Sequence, residues 1–103
     1  MKMDETSVRG FAAAMRDHNP IHLDAAAARK AGLSGPIVHG MLILARMEAA
    51  LGAPASEFSV RFVQPLPVGA ELSVETRPLP GGRTRVIARN GEGGILAVGE
   101  AKA

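Results

Sequence analysis

The segment "RDHNPIHLD", Arg16 to Asp24, holds two carboxylates and two imidazoles around an Asn-Pro pair. An imidazole that exchanges a proton near neutrality, held beside a carboxylate by a stiff loop, is a minimal general acid/base pair. Asp17 and His22 stand on either side of Pro20. They are not helical neighbours, so joint work requires the loop to fold them together. The same residues also read as a polar turn, with Asp17 closing a helix, Asn19 forming an Asx-turn and His22 a surface imidazole. A metal site from His18, His22 and His39 is a third reading. Pro20 breaks the register that would align the first two, and no zinc spacing accompanies them, so no metal is expected. None of the serines at 7, 34, 56, 59 and 73 lies in a Gly-x-Ser-x-Gly elbow, the local signature of one large hydrolase class. The chain has no cysteine, which excludes thiolate zinc sites and a Cys nucleophile.

A second stretch, "GPIVHGML", places Gly40 at or near the start of an apolar helix. Unpaired N–H groups and the helix dipole there favour developing negative charge. Gly40 is also readable as a close-packing position against a strand. His39 reads as a satisfied structural histidine rather than a catalyst.

The elements that must carry these residues follow from periodicity. Val8, Phe11, Ala12 and Met15 recur at helical spacing up to about Arg16, after Asp4 to Ser7 as capping residues. Pro20 disfavours helix at Asn19, making "DHNPIH" an ordered loop. Asp24 is a candidate N-cap for "AAAARKA", which Gly32 ends. "IVHGMLILARMEAALG" is apolar on nearly every side in its early turns, which predicts a buried helix, with Gly52 and Pro54 as its stop. From Ser56 the period becomes two, and the turn signals "PGG" and "NGEGG" divide the rest into about four antiparallel strands. An apolar helix followed by a sheet long enough to wrap it is an α+β layer. With two open edges on such a sheet, edge pairing between two copies predicts a homodimer.

With 103 residues the chain reads as one domain. Its only aromatic residues are three Phe, so the core is aliphatic. No apolar run is long enough for a bilayer span, and no signal peptide stands at the amino terminus, so a cytoplasmic protein with no membrane association is expected. The net charge is +2. Arg61, Arg77, Arg83, Arg85 and Arg89 are spread over the strands without aromatic residues between them, which gives nucleic acid no stacking platform. They form a solvated strand face, or a basic rim for phosphates of a substrate or for an acidic carrier protein.

"DHNPIHLD" and "GPIVHGML" together resemble the MaoC-like family of (R)-specific enoyl-thioester hydratases and dehydratases, and "VRFVQPLPVGAELSVE" is similar to that family's strand, Pro-containing turn and strand. The resemblance, over about residues 8 to 100, implies the hot-dog fold, an antiparallel sheet wrapped around a long central helix. It implies reversible addition of water to a trans-2-enoyl thioester without metal or redox cofactor, CoA or phosphopantetheine being part of the substrate. It implies that Asp17 activates the water, His22 exchanges the C2 proton, Asn19 holds the loop and the reacting groups, and the Gly40 N–H binds the thioester oxygen. Rival implications within the same fold are a thioesterase, a double-bond isomerase, or a non-catalytic acyl-binding subunit of a larger assembly. Two departures stand out. Met15 and Arg16 occupy the place of a Ser-Gly pair, which predicts a different angle of approach for the loop. The amino-terminal strand and lead-in are shortened, which predicts a gap in the sheet or pocket wall.

Overall fold

The computed structural model describes Met1–Ala103. Asp4 opens the first helix, α1 (Glu5–Met15), by accepting a hydrogen bond from the Ser7 N–H at 2.9 Å. Hydrogen bonds from Ser7 hold the Asp4 carboxyl below the ordinary carboxylate range. The cap is therefore intact at neutral pH and is lost as falling pH protonates the acid. Val8 and Ala12 bury one face of α1.

Arg16 then takes the left-handed conformation (φ 54°, ψ 35°), the only residue other than glycine with positive φ. Its N–H returns to the Ala12 carbonyl, closing the helix. Arg16 thus adopts a conformation that glycine favours. An L-residue there costs about 1–2 kcal/mol, partly offset by the greater chain entropy of an unfolded glycine. Arg16→Gly is expected to raise the thermal unfolding midpoint by about 4 °C. An unchanged or lower midpoint by calorimetry would show that this turn stores no strain.

Asn19 caps a single 3₁₀ turn, Pro20–His22, and Asp24 caps α2 (Ala25–Lys30), each through a side-chain oxygen on the amide two residues on. Backbone at Ile37 and Val38 is extended and pairs with Pro67 and Leu66 before the chain turns into α3 (Gly40–Ala50).

Four strands follow: β1 (Glu57–Phe62), β2 (Leu72–Leu79), β3 (Arg83–Asn90) and β4 (Ile95–Lys102). They form one antiparallel sheet in the order β1-β4-β3-β2. Gly99 lies opposite Val60, and a Cβ there would stand 2.7 Å from the Phe58 ring and 3.1 Å from Val60. Only glycine lets both side chains cross β4 towards the core. On other strand positions Glu75 accepts from Arg89 at 2.8 Å and Arg77 at 3.3 Å, and Glu100 from Arg83 at 3.3 Å. Arg61 and Arg85 are exposed with no carboxylate partner. The expected solvated strand face is present.

α3 packs against β2 and β3. The core joins Leu42, Ile43 and Met47 of α3 to Met3, Val8, Leu66, Leu72, Val86, Ala88, Leu96 and Ala97. The expectation of burial in the early turns holds for Leu42 and Ile43 and fails at Met41. Met41 is 56% exposed and Ala45, Arg46, Glu48 and Ala49 are exposed too. One sheet covers one face of a helix, and one copy of the chain supplies only one sheet. The first residues are held against the start of β2. Lys2 pairs with Glu71, Met3 is fully buried, and the Met1 amine donates to the Leu72 carbonyl.

Candidate active site

Two loops, one before the 3₁₀ turn and one before α3, are fastened by reciprocal bonds. The Ile37 N–H donates to the Ile21 carbonyl at 3.0 Å, and the Ile37 carbonyl accepts from His22 Nδ1 at 2.7 Å. A carbonyl only accepts, so Nδ1 carries the proton. In the neutral ring Nε2 is therefore the basic atom. In the opposite sense, His39 of the second loop donates from Nε2 to the Asp17 carbonyl of the first at 3.0 Å.

Asp17, His22 and His39 thereby converge, with one ligand atom of each lying within 4.8 Å of the others. The loop does fold the Asp17 carboxylate towards the His22 ring, as joint proton transfer requires. Asp17 is half-buried; its side chain remains 46% exposed. The Asn19 N–H approaches its Oδ1 at 3.4 Å. Asn19 places its own Oδ1 on the Ile21 N–H at 3.2 Å, so it shapes the loop and leaves its amide nitrogen free. The Asx-turn reading and the loop-holding reading of Asn19 describe the same contact.

His18 is exposed and stands apart from this cluster, so a three-histidine metal site is not assembled. Nor do Asp17, His22 and His39 form a good ligand set. The His22 and His39 rings are stacked, with centroids 3.8 Å apart and planes 22° apart. Their in-plane lone pairs run side by side instead of meeting at one ion, and one nitrogen of each ring is already on a carbonyl.

Gly40 is the first residue of α3, and no backbone or side-chain acceptor takes its N–H. It directly follows His39, a member of the cluster, in the chain. A groove of about 290 Å³ opens there, lined by Gly40, Ile37, Val38, Ile43, Phe62 and Val63 among others. A Cβ on Gly40 would meet the Phe62 ring at 3.5 Å, an ordinary contact, so packing alone does not demand glycine. A larger depression of about 630 Å³ lies at the far end of α3, among Ala49, Leu51, Pro54 and Phe58. It is lined by neither Gly40 nor any residue of the Asp17, His22 and His39 cluster.

The double engagement of His39 is what sequence reasoning missed. Its signal was a single ionisable residue within an otherwise apolar run, "PIVHGML".

Comparison with known proteins shows the family. A model of the MaoC-like domain matches residues 1–79. The (R)-specific enoyl-CoA hydratase of Aeromonas caviae is 36% identical over 110 residues, covering 91% of this chain and 80% of that protein. The 3-hydroxyacyl-thioester dehydratase X of Mycobacterium tuberculosis is 39% identical over 80 residues, covering 72% of this chain but 28% of that protein. In structure, the A. caviae (R)-hydratase superposes with a TM-score of 0.81 at 30% identity, covering 98% of this chain and 86% of that one. HtdX of M. tuberculosis superposes at 0.89 with 27% identity, all of this chain lying on 46% of that one. The sheet and helix are those of the hot-dog fold. A family match over most of the chain makes this protein a member of the MaoC-like domain family.

Proposed function

We propose that this protein adds water reversibly to a trans-2-enoyl thioester, giving the (R)-3-hydroxyacyl thioester. Two observations support this reading: Asp17 and His22 converge on His39, and the next residue in the chain, Gly40, has a free N–H and lines an apolar groove. Hydration requires three things at once: a base for water, an acid for C2, and a donor for the enolate-like oxygen. In hydration Asp17 takes a proton from the water that attacks C3, and doubly protonated His22 delivers its Nε2 proton to C2. In dehydration neutral His22 removes the C2 proton through Nε2, and protonated Asp17 donates to the leaving hydroxyl. The His22 bond to Ile37 suits both directions because it leaves Nε2 as the exchanging atom. Asn19 keeps the loop in shape, and the Gly40 amide holds the thioester oxygen. The reaction itself calls for neither metal nor redox cofactor; CoA or the phosphopantetheine of a carrier protein is part of the substrate.

In this reading residues 1–103 act as one hot-dog unit and two copies form a homodimer. β1 has a free edge, and the adjoining Phe62 and Val63 are 46% and 55% exposed. Antiparallel pairing of two β1 strands about Ser59 sets Glu57 of one copy opposite Arg61 of the other, twice by symmetry. Light scattering should read twice the 10.7 kDa chain mass, and a monomer would overturn the pairing.

Purified protein incubated with crotonyl-CoA should yield a product heavier by one water with the thioester intact. Release of free acid would instead mean hydrolysis. Isomerisation is tested separately with a 3-enoyl thioester, where a moved double bond at unchanged mass replaces hydration as the reaction. Either outcome displaces the proposal.

A further inference from the structure

His39 is the only buried polar side chain, 1% exposed. Its Nδ1 has no hydrogen-bond partner. An aliphatic or phenyl side chain would fill the same space without leaving a buried polar atom unpaired. What the imidazole adds is on its other nitrogen and its face. Nε2 donates to the Asp17 carbonyl across a separation of 22 residues. One face stacks on His22 at 3.8 Å, and Phe11 lies tilted against the ring at 4.9 Å.

We propose that His39 is a positioning residue for the acid/base pair: a single ring fixes the Asp17 main chain through Nε2 and supports the His22 ring with its face. This rests on the hydration reading of the site. Asp17 directly follows the left-handed Arg16, a strained point from which the chain would otherwise relax. Its N–H is bonded to the Ala12 carbonyl at 3.0 Å and its C=O to His39, so the residue is pinned from both sides. The Asp17 Oδ2 stands 3.9 Å from the same Nε2, beyond hydrogen-bond length. His39 therefore holds the backbone and leaves the carboxylate free to take a proton. The stacking sets where the second catalytic ring lies relative to the first group.

The test compares three variants. In His39→Gln the amide nitrogen reaches the place of Nε2 and keeps the donor. In His39→Asn the donor is too short to reach. In His39→Phe the ring and its stacking stay while the donor is lost. His39→Phe and His39→Asn should lower kcat by roughly a hundredfold, the scale of a small misplacement, with KM within about threefold. His39→Gln should lose about tenfold or less, the cost of stacking alone, and should keep both limbs of the pH–rate profile. Equal losses in Gln and Asn, or no loss in Phe and Asn, would overturn the positioning role. A vanished limb in Gln would make His39 itself the proton carrier and overturn it as well.

Amide hydrogen exchange at Asp17 reads the same pinning without turnover. It should quicken about tenfold or more in Phe and Asn and stay near wild type in Gln. If wild-type protein turns over no enoyl thioester, the hydration reading fails, and unchanged exchange at Asp17 in Phe and Asn separately overturns the pinning. If Phe does not fold, the Gln and Asn pair decides.

Discussion

Asp17→Asn is expected to cut turnover of a trans-2-enoyl thioester by roughly a thousandfold, the upper part of the range for losing one positioned acid/base group. Asn has the shape of Asp and keeps an acceptor for the Asn19 N–H. The bond that anchors residue 17 to His39 runs through the main-chain carbonyl, which the substitution leaves alone. The variant therefore removes a proton acceptor and little else, and its thermal midpoint should stay near that of the wild type. The groove beside Gly40 contains no part of Asp17, so KM should change far less than kcat. His22→Asn should fall comparably, because its amide nitrogen takes the place of Nδ1 against Ile37 and keeps the donor but cannot exchange a proton. The two groups act on one transition state, so the double variant should be little worse than either single one. Loss of enoyl-thioester absorbance gives kcat and KM for all three. An Asp17→Asn rate within tenfold of wild type would remove Asp17 from the proton transfers.

Much of this site is legible in the linear sequence because its parts are local. Asp4, Asn19 and Asp24 each cap an element through an amide two or three residues on, and short-range bonds of that kind are written in residue type and spacing. The strands are equally local, since Phe58 and Val60 alternate with exposed Ser59 and Arg61. The unread parts depend on contacts made far along the chain. The role of His39 rests on a carbonyl 22 residues away and on a ring stacked from a different loop; composition places a histidine among apolar neighbours and says nothing of which nitrogen is used. α3 shows the same limit differently. Its run of apolar residues predicts burial, but Met41 remains 56% exposed, because one sheet covers one face of a helix and hydrophobicity does not record which face that is. At Arg16 the helix-closing bond to Ala12 carries an Arg into the left-handed region, which residue type alone does not predict. Tertiary and capping bonds there outweigh an intrinsic preference of about 1–2 kcal/mol.

The second large effect concerns the amide at the start of α3. Gly40→Pro should lower kcat by roughly a hundredfold to a thousandfold, the usual consequence of deleting one oxyanion donor. Proline is well placed for this deletion. Gly40 is the first helical residue, where proline's fixed φ suits the helix and no intrahelical bond is lost. His39 precedes it with φ −59° and ψ 132°, within the extended region that a following proline requires. The added Cβ meets Phe62 at 3.5 Å, and that ring is 46% exposed and has room to shift. The helix should therefore survive while its free N–H is replaced by a methylene pointing towards the substrate oxygen. Gly40→Ala is the matching control: it brings the same Cβ to Phe62 and keeps the amide. With the N–H responsible, Ala stays within about tenfold of wild type and Pro falls to the low level, the residual rate resting on the Met41 N–H, which also has no acceptor. With groove shape responsible, Ala and Pro fall together. A Pro variant at wild-type rate would leave Gly40 without a role at the thioester oxygen, and the charge would then have to be met by another donor, such as the Met41 N–H, which has no acceptor.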